Sequence, residues 1–261
     1  MSKTALITGA SSGIGYELAK VHAEKGDNLV LVARSNDKLD ELKKELEEKH
    51  KVQVYTIGKD LSLQGAAGQV YDELEQQHIS IDYLINNAGF GDIGLFAESD
   101  WNKLEKMINL NVKALTHFTR LFLPDMINQG SGRIMNVAST AAFQPGPTMA
   151  VYFATKAYVL SFSEAVNNEV RDKGITVTAL CPGSTESGFQ TVAGLEENKL
   201  IKGRNLPSSK QVAEYGYREM MKGKAVAIHG LKNIILANSV RFIPRSLAVK
   251  AARKIQGNKY K

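Results

Sequence analysis

A tyrosine and a lysine lie four residues apart in the segment STAAFQPGPTMAVYFATKAY, which runs from Ser139 to Tyr158. On a helix, positions i and i+4 share a face, so Lys156 would lie next to Tyr152. A free phenol titrates near about 10 and is a poor base at neutral pH, but a positive charge within a few ångströms lowers that pKa. The spacing indicates either a tyrosine that exchanges protons or two ordinary residues of a helix surface.

Alternating short and long apolar segments predict the elements that would position this pair. Seven short β-branched runs are predicted strands, at 4–8, 28–33, 52–60, 83–88, 132–139, 176–182 and 225–230. Longer amphipathic segments are predicted helices, at 14–25, 35–50, 62–77, 101–128 and 152–173. This regular alternation predicts an α/β fold: a single doubly wound Rossmann domain with a parallel seven-stranded sheet and helices on both faces.

Two segments depart from the alternation. The catalytic domain is predicted to span residues 1–230. Within it, residues 183–210 are too long for a simple strand-to-helix connection and are interpreted as a substrate-binding loop. Residues 231–261 are interpreted as a basic C-terminal extension of the same domain.

Composition is that of an ordinary soluble globular protein, with 43% hydrophobic and 23% charged residues. Cys181 is the only cysteine, which argues against a disulfide framework and predicts a reducing, cytoplasmic location. We expect no signal peptide and no integral membrane segment, because no apolar run is long enough. The five histidines show no metal-ligand spacing, so no metal site is predicted.

The segment TGASSGIG (8–15) lies between the first predicted strand and helix, where a parallel sheet offers a helix N-terminus to a phosphate. Gly9 permits a tight turn, Gly13 leaves room for a ligand to approach the backbone, and Gly15 allows close packing of helix and strand. The pattern in this context predicts dinucleotide binding. The residues predicted to contact the cofactor here are Gly9, Ser11, Ser12, Gly13, Ile14 and Gly15.

The second predicted strand ends in LVLVARS, which indicates the kind of cofactor. Ala33 and Arg34 stand where an acidic residue would bind the ribose 2′-hydroxyl of NAD. A guanidinium group matches the oxygens of a 2′-phosphate, so NADP(H) is predicted over NAD(H), with Arg34 and Ser35 at this phosphate. The alternative is that Arg34 is a surface residue facing solvent.

With these motifs in place, the chain resembles the classical short-chain dehydrogenase/reductase family over residues 3–230, and within it a bacterial branch with a basic C-terminal tail. The resemblance rests on TGASSGIG, on NNAG at 86–89, and on Ser139, Tyr152 and Lys156 in the family's order and spacing. It implies an oxidoreductase that interconverts a carbonyl and a secondary alcohol. It also implies a homodimer or homotetramer.

The resemblance implies catalytic roles for four residues. Tyr152 would give its proton to a carbonyl oxygen, or take one from an alcohol in reverse. Lys156 would lower the pKa of Tyr152 and bind the cofactor ribose. Ser139 would hydrogen-bond the substrate oxygen, and Asn111, in NLNVKAL, would hold a water that relays protons to Lys156.

Further cofactor contacts are also implied by the resemblance. Asp60 matches an acidic position that holds the adenine ring. Two positions depart from the family pattern, because Thr155 replaces a more usual serine and Ser187 stands where a threonine is common. The further residues expected at the cofactor are Asp60, Leu61, Asn87, Ala88, Gly89, Tyr152, Lys156, Pro182, Gly183 and Ser187.

The substrate pocket is predicted to be bounded by Ser139, Phe143, Gln144, Tyr152 and Phe189. These neighbours are largely apolar, and no convergent pair of basic residues for a strongly anionic substrate is evident. We therefore expect reduction of mid-sized apolar ketones, aldehydes or β-ketoesters. The alternatives are a 3-oxoacyl thioester reductase and a nucleotide-binding regulatory or scaffold protein without turnover.

The C-terminal tail is strongly basic. After Glu219 there is no acidic residue and there are ten basic ones, whereas the first 219 residues carry a net charge of −4. A helix is predicted after Pro244, with Leu247, Ala251 and Ile255 on one face. The tail may be interpreted in three ways: it covers the substrate cleft or a neighbouring subunit, contacts an anionic membrane surface, or binds nucleic acid. We prefer the first because the apolar face is narrow and alanine-rich, and the acidic main body disfavours a binder of nucleic acid or of a membrane surface.

Overall fold

Seven strands alternate with helices in the part of the chain that the computed structural model describes, residues 2–186, 189, 193 and 205–256. The strands are Thr4–Thr8 (β1), Asn28–Ala33 (β2), Val54–Gly58 (β3), Tyr83–Asn86 (β4), Gly132–Val137 (β5), Ile175–Cys181 (β6) and Val226–Ile228 (β7). They form one sheet in the order β3-β2-β1-β4-β5-β6-β7, and every neighbouring pair is parallel. The predicted α/β fold with a seven-stranded parallel sheet is confirmed.

Helices cover both faces of this sheet. They are Gly13–Glu24 (α1), Asn36–His50 (α2), Ala66–Gln76 (α3), Trp101–Ile108 (α4), Leu115–Gln129 (α5), Ala150–Val170 (α6), Ser209–Met221 (α7), Leu231–Ser239 (α8) and Arg245–Gln256 (α9). On one face α1, α2 and α7 bury side chains such as Leu39 and Val212. On the other, α3, α5 and α6 bury Val70, Phe118 and Val166. The apolar stripe of each helix therefore faces the sheet.

Helix α2 shows how the sequence pattern produces this packing. Leu39, Leu42 and Leu46 recur at helical spacing and are all buried, while the charged residues between them face outwards. Burying one leucine side chain contributes about 1.5–3 kcal/mol to folding. The predicted apolar face of this helix is confirmed.

The strand order reverses between β1 and β4, where an open parallel sheet has its ligand crevice beyond the carboxyl ends of the strands. The glycine turn follows β1, and the NNAG segment follows β4. The hydroxyl oxygen of Thr8 accepts hydrogen bonds from the amides of Asn87 and Ala88, each at 3.0 Å. In return, Asn87 Nδ2 donates to the Thr8 carbonyl at 2.9 Å. These bonds hold the two strand ends together and fix the floor of the crevice.

Two element boundaries differ from the sequence prediction. The strand predicted at 52–60 is paired only over Val54–Gly58. The single helix predicted over 101–128 contains a π-helical segment, Asn109–Ala114, between α4 and α5. The apolar period marks which face of an element is buried, but it does not mark where strand pairing stops or where one extra residue enters a helical turn.

The predicted terminal helix is present as α9, but the prediction of its packing face was wrong. Leu247 and Ala251 are exposed, whereas Ala248 and Ala252 are buried. The side chain of Ile255, the third member of the predicted face, lies outside the described residues. The small alanines therefore make the contact with the protein body, and the larger leucine faces outwards. No helix within the described residues has both the length and the apolarity needed to span a bilayer.

Candidate active site

The fold brings Ser139, Tyr152 and Lys156 together at the carboxyl end of β5. Ser139 follows this strand, and α6 places Tyr152 and Lys156 one turn apart. The Nζ atom of Lys156 lies 5.9 Å from the centre of the Tyr152 ring. A hydrogen bond joins the side chains of Ser139 and Tyr152. The helical spacing thus places Tyr152 and Lys156 on one face of α6, and the end of β5 adds Ser139 to form a cluster of three polar groups.

Burial controls the protonation of this cluster. It raises the pKa of Tyr152 to about 12, and the hydrogen bond with Ser139 opposes the rise only in part. Burial also lowers the pKa of Lys156 to about 8. The resemblance implied that Lys156 lowers the pKa of Tyr152, but the protein groups by themselves give the opposite direction, because desolvation disfavours both charged forms. The phenol therefore holds its proton at neutral pH, as a proton donor requires.

Backbone groups at the ends of β5 and β6 orient the serine and the lysine. Lys156 Nζ donates to the carbonyl of Val137 at 2.7 Å. Ser139 Oγ accepts from the amide of Ala141 at 3.1 Å and lies 3.4 Å from the carbonyl of Pro182. Both side chains are therefore held by backbone groups at the carboxyl edge of the sheet.

Asn111 lies in the π-helical segment and is buried. Its Oδ1 accepts from the amide of Phe90 at 3.1 Å, and its Nδ2 donates to the Phe90 carbonyl at 2.9 Å. The same Nδ2 donates to the hydroxyl of Thr155 at 3.1 Å, and this hydroxyl donates to the carbonyl of Tyr152 at 2.7 Å. Thr155, which the sequence showed as a departure from the family pattern, thus links Asn111 to the helix that carries the tyrosine.

The glycine turn has a backbone that only glycine adopts easily. Gly9 has φ +68° and Gly13 has φ +58°, both in the left-handed region. At Gly15, a Cβ atom would lie 2.4 Å from the carbonyl oxygen of Gly9, so any side chain would displace the turn. Ser12 is the N-cap residue of α1, but among the described residues its side chain makes no capping hydrogen bond with the helix. The amides of the first helical turn therefore remain available to an anionic group.

Arg34 and Ser35 are exposed at the carboxyl end of β2. The amide of Gly9 donates to the carbonyl of Val32 at 2.7 Å, so the glycine turn folds over the end of this strand. Arg34 forms no ion pair with any described residue. Its guanidinium group is therefore free to meet an anionic ligand that lies on the glycine turn.

Asp60 lies close enough to Arg34 to interact with its charge. Burial raises the pKa of Asp60, but hydrogen bonds from Ser62 and the charges of Arg34 and Lys106 outweigh it, so the net pKa is lowered. One carboxylate oxygen accepts from the Ser62 amide at 2.9 Å and from its hydroxyl at 2.7 Å. The neighbouring Leu61 is buried. The structure thus places Asp60 and Leu61 beside Arg34, at the edge of the crevice.

Gly89 lies beside the cluster of Ser139, Tyr152 and Lys156. A Cβ atom here would lie 3.0 Å from Asn111 Oδ1 and 3.5 Å from Lys156 Nζ. Without a side chain, the backbone leaves room for a ligand between the turn after β4 and the lysine. Pro182 and Gly183 line the turn after β6, and Ser187 lies outside the described residues.

A cleft lies beside the tyrosine. Its lining combines apolar side chains, among them Phe96, Leu104, Met107, Met149 and Val151, with the polar side chains of Asp92, Ser99 and Thr148. The Phe189 ring lies 5.3 Å from the Tyr152 ring. The structure does not bring Phe143 into this group, because Phe143 packs with Val159 and Leu160 in a separate cluster. Gln144 is half-buried just after the short helix that Ser139 begins.

Sequence reasoning missed two residues near Tyr152, Gly91 and Thr148. At Gly91 a Cβ atom would lie 2.8 Å from the Phe189 ring and 3.2 Å from the Tyr152 ring, so glycine is needed where these rings meet. Thr148 has φ +69°, a strained conformation for a β-branched residue, and lines the cleft. The glycine-rich segment GFGDIG could have indicated Gly91, but no sequence pattern indicated Thr148. Among the described residues, no group of His, Cys, Asp or Glu could hold a metal ion.

The sequence model of the short chain dehydrogenase family matches residues 3–198. The chain belongs to this family. Over 188 residues, the chain is 35% identical to the very-long-chain 3-oxoacyl-CoA reductase of Macaca fascicularis. The aligned region covers 70% of this chain and 59% of the macaque protein. The chain therefore spans less than two thirds of the length of that relative.

Solved structures share the fold over nearly the whole chain. A short-chain dehydrogenase from Sphingobium yanoikuyae in complex with NADPH has a TM-score of 0.84 and 31% identity, covering 94% of each chain. The bulky-bulky ketone specific alcohol dehydrogenase from Comamonas testosteroni has a TM-score of 0.79 and 32% identity, covering 92% of each chain.

Proposed function

We propose that the chain is an NADP(H)-dependent oxidoreductase that reduces mid-sized apolar ketones, aldehydes or β-ketoesters to alcohols. The observation that carries this proposal is the buried cluster in which Tyr152 keeps its proton beside Ser139 and Lys156. Family membership supports chemistry on carbonyl and alcohol groups.

The residues of the crevice fit a dinucleotide. The turn at Gly9 and the side-chain-free positions Gly15 and Gly89 leave the backbone open to a bound ligand. Arg34 is exposed at the position where a 2′-phosphate would distinguish NADP(H) from NAD(H). NADPH supplies a hydride for the carbonyl carbon when it is bound, and the NADPH complex of the Sphingobium yanoikuyae neighbour supports this choice.

The protein groups manage the proton that accompanies the reduction. The Tyr152 hydroxyl transfers its proton to the carbonyl oxygen as the carbonyl π-bond breaks, which leaves an alcohol and a tyrosinate. Ser139 orients the oxygen and stabilises its developing negative charge by hydrogen bonding. The tyrosinate then recovers a proton from solvent, and Lys156 stabilises its transient negative charge. Alcohol oxidation is the same sequence in reverse.

The side chains that line the cleft support a substrate with an apolar body and a polar carbonyl group. Apolar side chains such as Leu104 and Met107 lie there with Tyr152, and Asp92, Ser99 and Thr148 add polar groups, which suits a ketone or β-ketoester. A second candidate is reduction of 3-oxoacyl thioesters, favoured by the likeness to a very-long-chain 3-oxoacyl-CoA reductase. Such a substrate would extend its acyl chain along the same apolar wall.

The proposal is tested by following NADPH consumption, with NADH in parallel, over aldehydes, β-ketoesters, cyclic ketones and 3-oxoacyl-CoA thioesters. We expect turnover with NADPH on several apolar carbonyl compounds and much weaker turnover with NADH. Preference for NADH would contradict the role of Arg34. Tight NADPH binding without turnover on the whole panel would favour a regulatory protein that only binds the nucleotide.

We also propose that the enzyme works as a homodimer or homotetramer. The outer surface of α6 supports this, because the rings of Tyr158 and Phe162 stack at 5.7 Å there and Tyr158 is exposed. Aromatic residues are enriched where proteins associate. Sedimentation of the full chain would show a monomer if this is wrong.

A further inference from the structure

The C-terminal tail, residues 231–254, gathers most of the exposed apolar side chains of the molecule. Thirteen large hydrophobic side chains are exposed among the described residues, and eight of them lie within this tail. They are Leu231, Ile234, Ile235, Leu236, Phe242, Ile243, Leu247 and Val249. The most exposed are Phe242 at 87% and Leu231 at 72%. Single exposed apolar residues are normal, but a contiguous group marks a surface that binds something.

The tail is attached to the protein body through small residues. Ala237 is buried with Ala138 and Ile228, and Ala248 and Ala252 are the buried positions of α9. An amphipathic helix of a globular domain normally turns its large apolar residues inwards. Here the large residues face outwards, so they do not serve the core of this chain.

The charge of the same surface is uniformly positive. Six basic residues lie within 231–254 and no acidic residue follows Glu219. These cations are Lys232, Arg241, Arg245, Lys250, Arg253 and Lys254. No salt bridge between described residues involves Lys232, Arg241 or Arg245. The partner must therefore accept apolar side chains and supply negative charge.

We propose that residues 231–254 dock the protein on an anionic lipid bilayer. The side chains of α8 and of Phe242 enter the boundary between headgroups and acyl chains, and the basic side chains contact phospholipid phosphates. A second copy of the chain fits less well, because a symmetric contact between two tails would bring like charges together. Nucleic acid explains the charge, but it gives no reason to expose leucine and isoleucine side chains.

The first experiment is flotation of the full chain with vesicles of phosphatidylcholine alone and of phosphatidylcholine mixed with phosphatidylglycerol, at low and high salt. We expect binding to the mixed vesicles only, weakened by salt because the charge attraction is screened. Absence of binding to the mixed vesicles at low salt would overturn the proposal.

A charge variant distinguishes vesicle binding by the tail from vesicle binding by other basic residues of the surface. Three exposed tail cations are replaced together, as Lys232→Gln, Arg241→Gln and Arg245→Gln. The matched control replaces three exposed cations of α2, as Lys38→Gln, Lys44→Gln and Lys49→Gln. We expect about 100-fold weaker vesicle binding for the tail variant and an unchanged affinity for the control. Equal affinities of the two variants would overturn the proposal.

An apolar variant tests insertion into lipid. Phe242→Ser is expected to weaken vesicle binding about tenfold, because one aromatic side chain no longer enters the apolar layer. Leu63→Ser, which removes an exposed apolar side chain outside the tail, is expected to bind as wild type does. If Phe242→Ser binds vesicles normally but dissociates an oligomer in sedimentation, the surface is a subunit contact. If duplex DNA releases the protein from vesicles and Phe242→Ser leaves DNA affinity unchanged, the surface serves nucleic acid.

Discussion

Tyr152 and Lys156 are buried side by side, and desolvation favours the neutral form of each. The pKa of the phenol rises to about 12 while that of the ammonium group falls to about 8. A phenol that keeps its proton is ready to donate it to a carbonyl oxygen. A tyrosinate, which alcohol oxidation requires, is disfavoured by the protein groups alone. At the residue scale, the protonation state that burial favours agrees with the proposed reduction.

Arg34 is expected to select the cofactor. We predict that Arg34→Ala weakens NADPH binding by roughly 10- to 100-fold, the range for loss of charge-assisted hydrogen bonds, and leaves NADH binding nearly unchanged. Fluorescence titration with each cofactor measures both affinities. Lys38→Ala, which removes an exposed cation of the neighbouring helix α2, is the matched control. Equal weakening of NADPH and NADH binding by Arg34→Ala would exclude a contact with the 2′-phosphate.

Thr155 is expected to stabilise the site by holding Asn111. Thr155→Val leaves the buried Nδ2 of Asn111 without one acceptor and should lower the free energy of unfolding by about 1–3 kcal/mol. Thr155→Ser keeps the hydroxyl and should differ little from wild type. Urea denaturation of the three proteins measures this difference. If serine and valine destabilise equally, the methyl group of Thr155 matters rather than its hydroxyl.

The i, i+4 spacing was sufficient to pair Tyr152 with Lys156, because it fixes a shared helix face. Ser139 and Asn111 were grouped with them only through the resemblance to the family. The direction of the tyrosine pKa could not be predicted in this way. It depends on how completely tertiary packing removes water from the side chains, and Met107 and Phe189, which contribute to that packing, are distant in sequence.

At the scale of elements, the turn between β1 and α1 depends on glycine, because its backbone leaves no room for a side chain at Gly15. We predict that Gly15→Ala abolishes NADPH binding and lowers the melting temperature, because its Cβ would lie 2.4 Å from the backbone oxygen of Gly9. Calorimetry and cofactor titration test both effects.

Gly68→Ala is the matched control for this substitution. Gly68 lies inside α3, and its Cβ would meet only a side-chain atom of His117 at 3.8 Å. Alanine should stabilise the helix there by roughly 0.5–1 kcal/mol. If Gly15→Ala behaves like Gly68→Ala, the turn is not sterically closed.

The periodicity of apolar residues predicted most elements and their buried faces, as Leu39, Leu42 and Leu46 show. It failed in the tail, where Ala248 and Ala252 are buried instead of the predicted face with Leu247. Periodicity assumes that the largest apolar residues turn inwards. That assumption does not hold where a helix touches the domain through alanines and presents its large residues to another surface.

The buried Lys156 makes the stability of the whole molecule depend on pH. The folded protein binds the lysine proton more weakly than the unfolded chain, with a pKa of about 8 against 10.5. The contribution of Lys156 to the free energy of unfolding should therefore rise from about pH 8 to pH 10.5, and the cost of the buried charge is fully present below pH 8. Burial raises the pKa of Cys181 from 9.0 to about 12 and that of Tyr152 from 10.0 to about 12, so these two groups lower stability above about pH 9 and oppose the lysine.

Lys156→Met removes this dependence. The variant cannot ionise at this position, so it should be more stable than wild type at pH 7 by up to about 3 kcal/mol. The difference should shrink as the pH approaches 10. Denaturation in urea over this range is the measurement, with Lys38→Met as the exposed control. A constant difference between Lys156→Met and wild type at all pH values would contradict the buried, titrating lysine.

The most direct test of the central claim compares wild type with Tyr152→Phe, using a carbonyl substrate that wild type reduces with NADPH. The variant removes one hydroxyl and keeps the ring against Phe189. We predict that kcat falls by about 100- to 10,000-fold, the range for loss of a general acid, while NADPH affinity and melting temperature stay close to those of wild type. A variant that keeps its turnover would show that Tyr152 is not the proton donor.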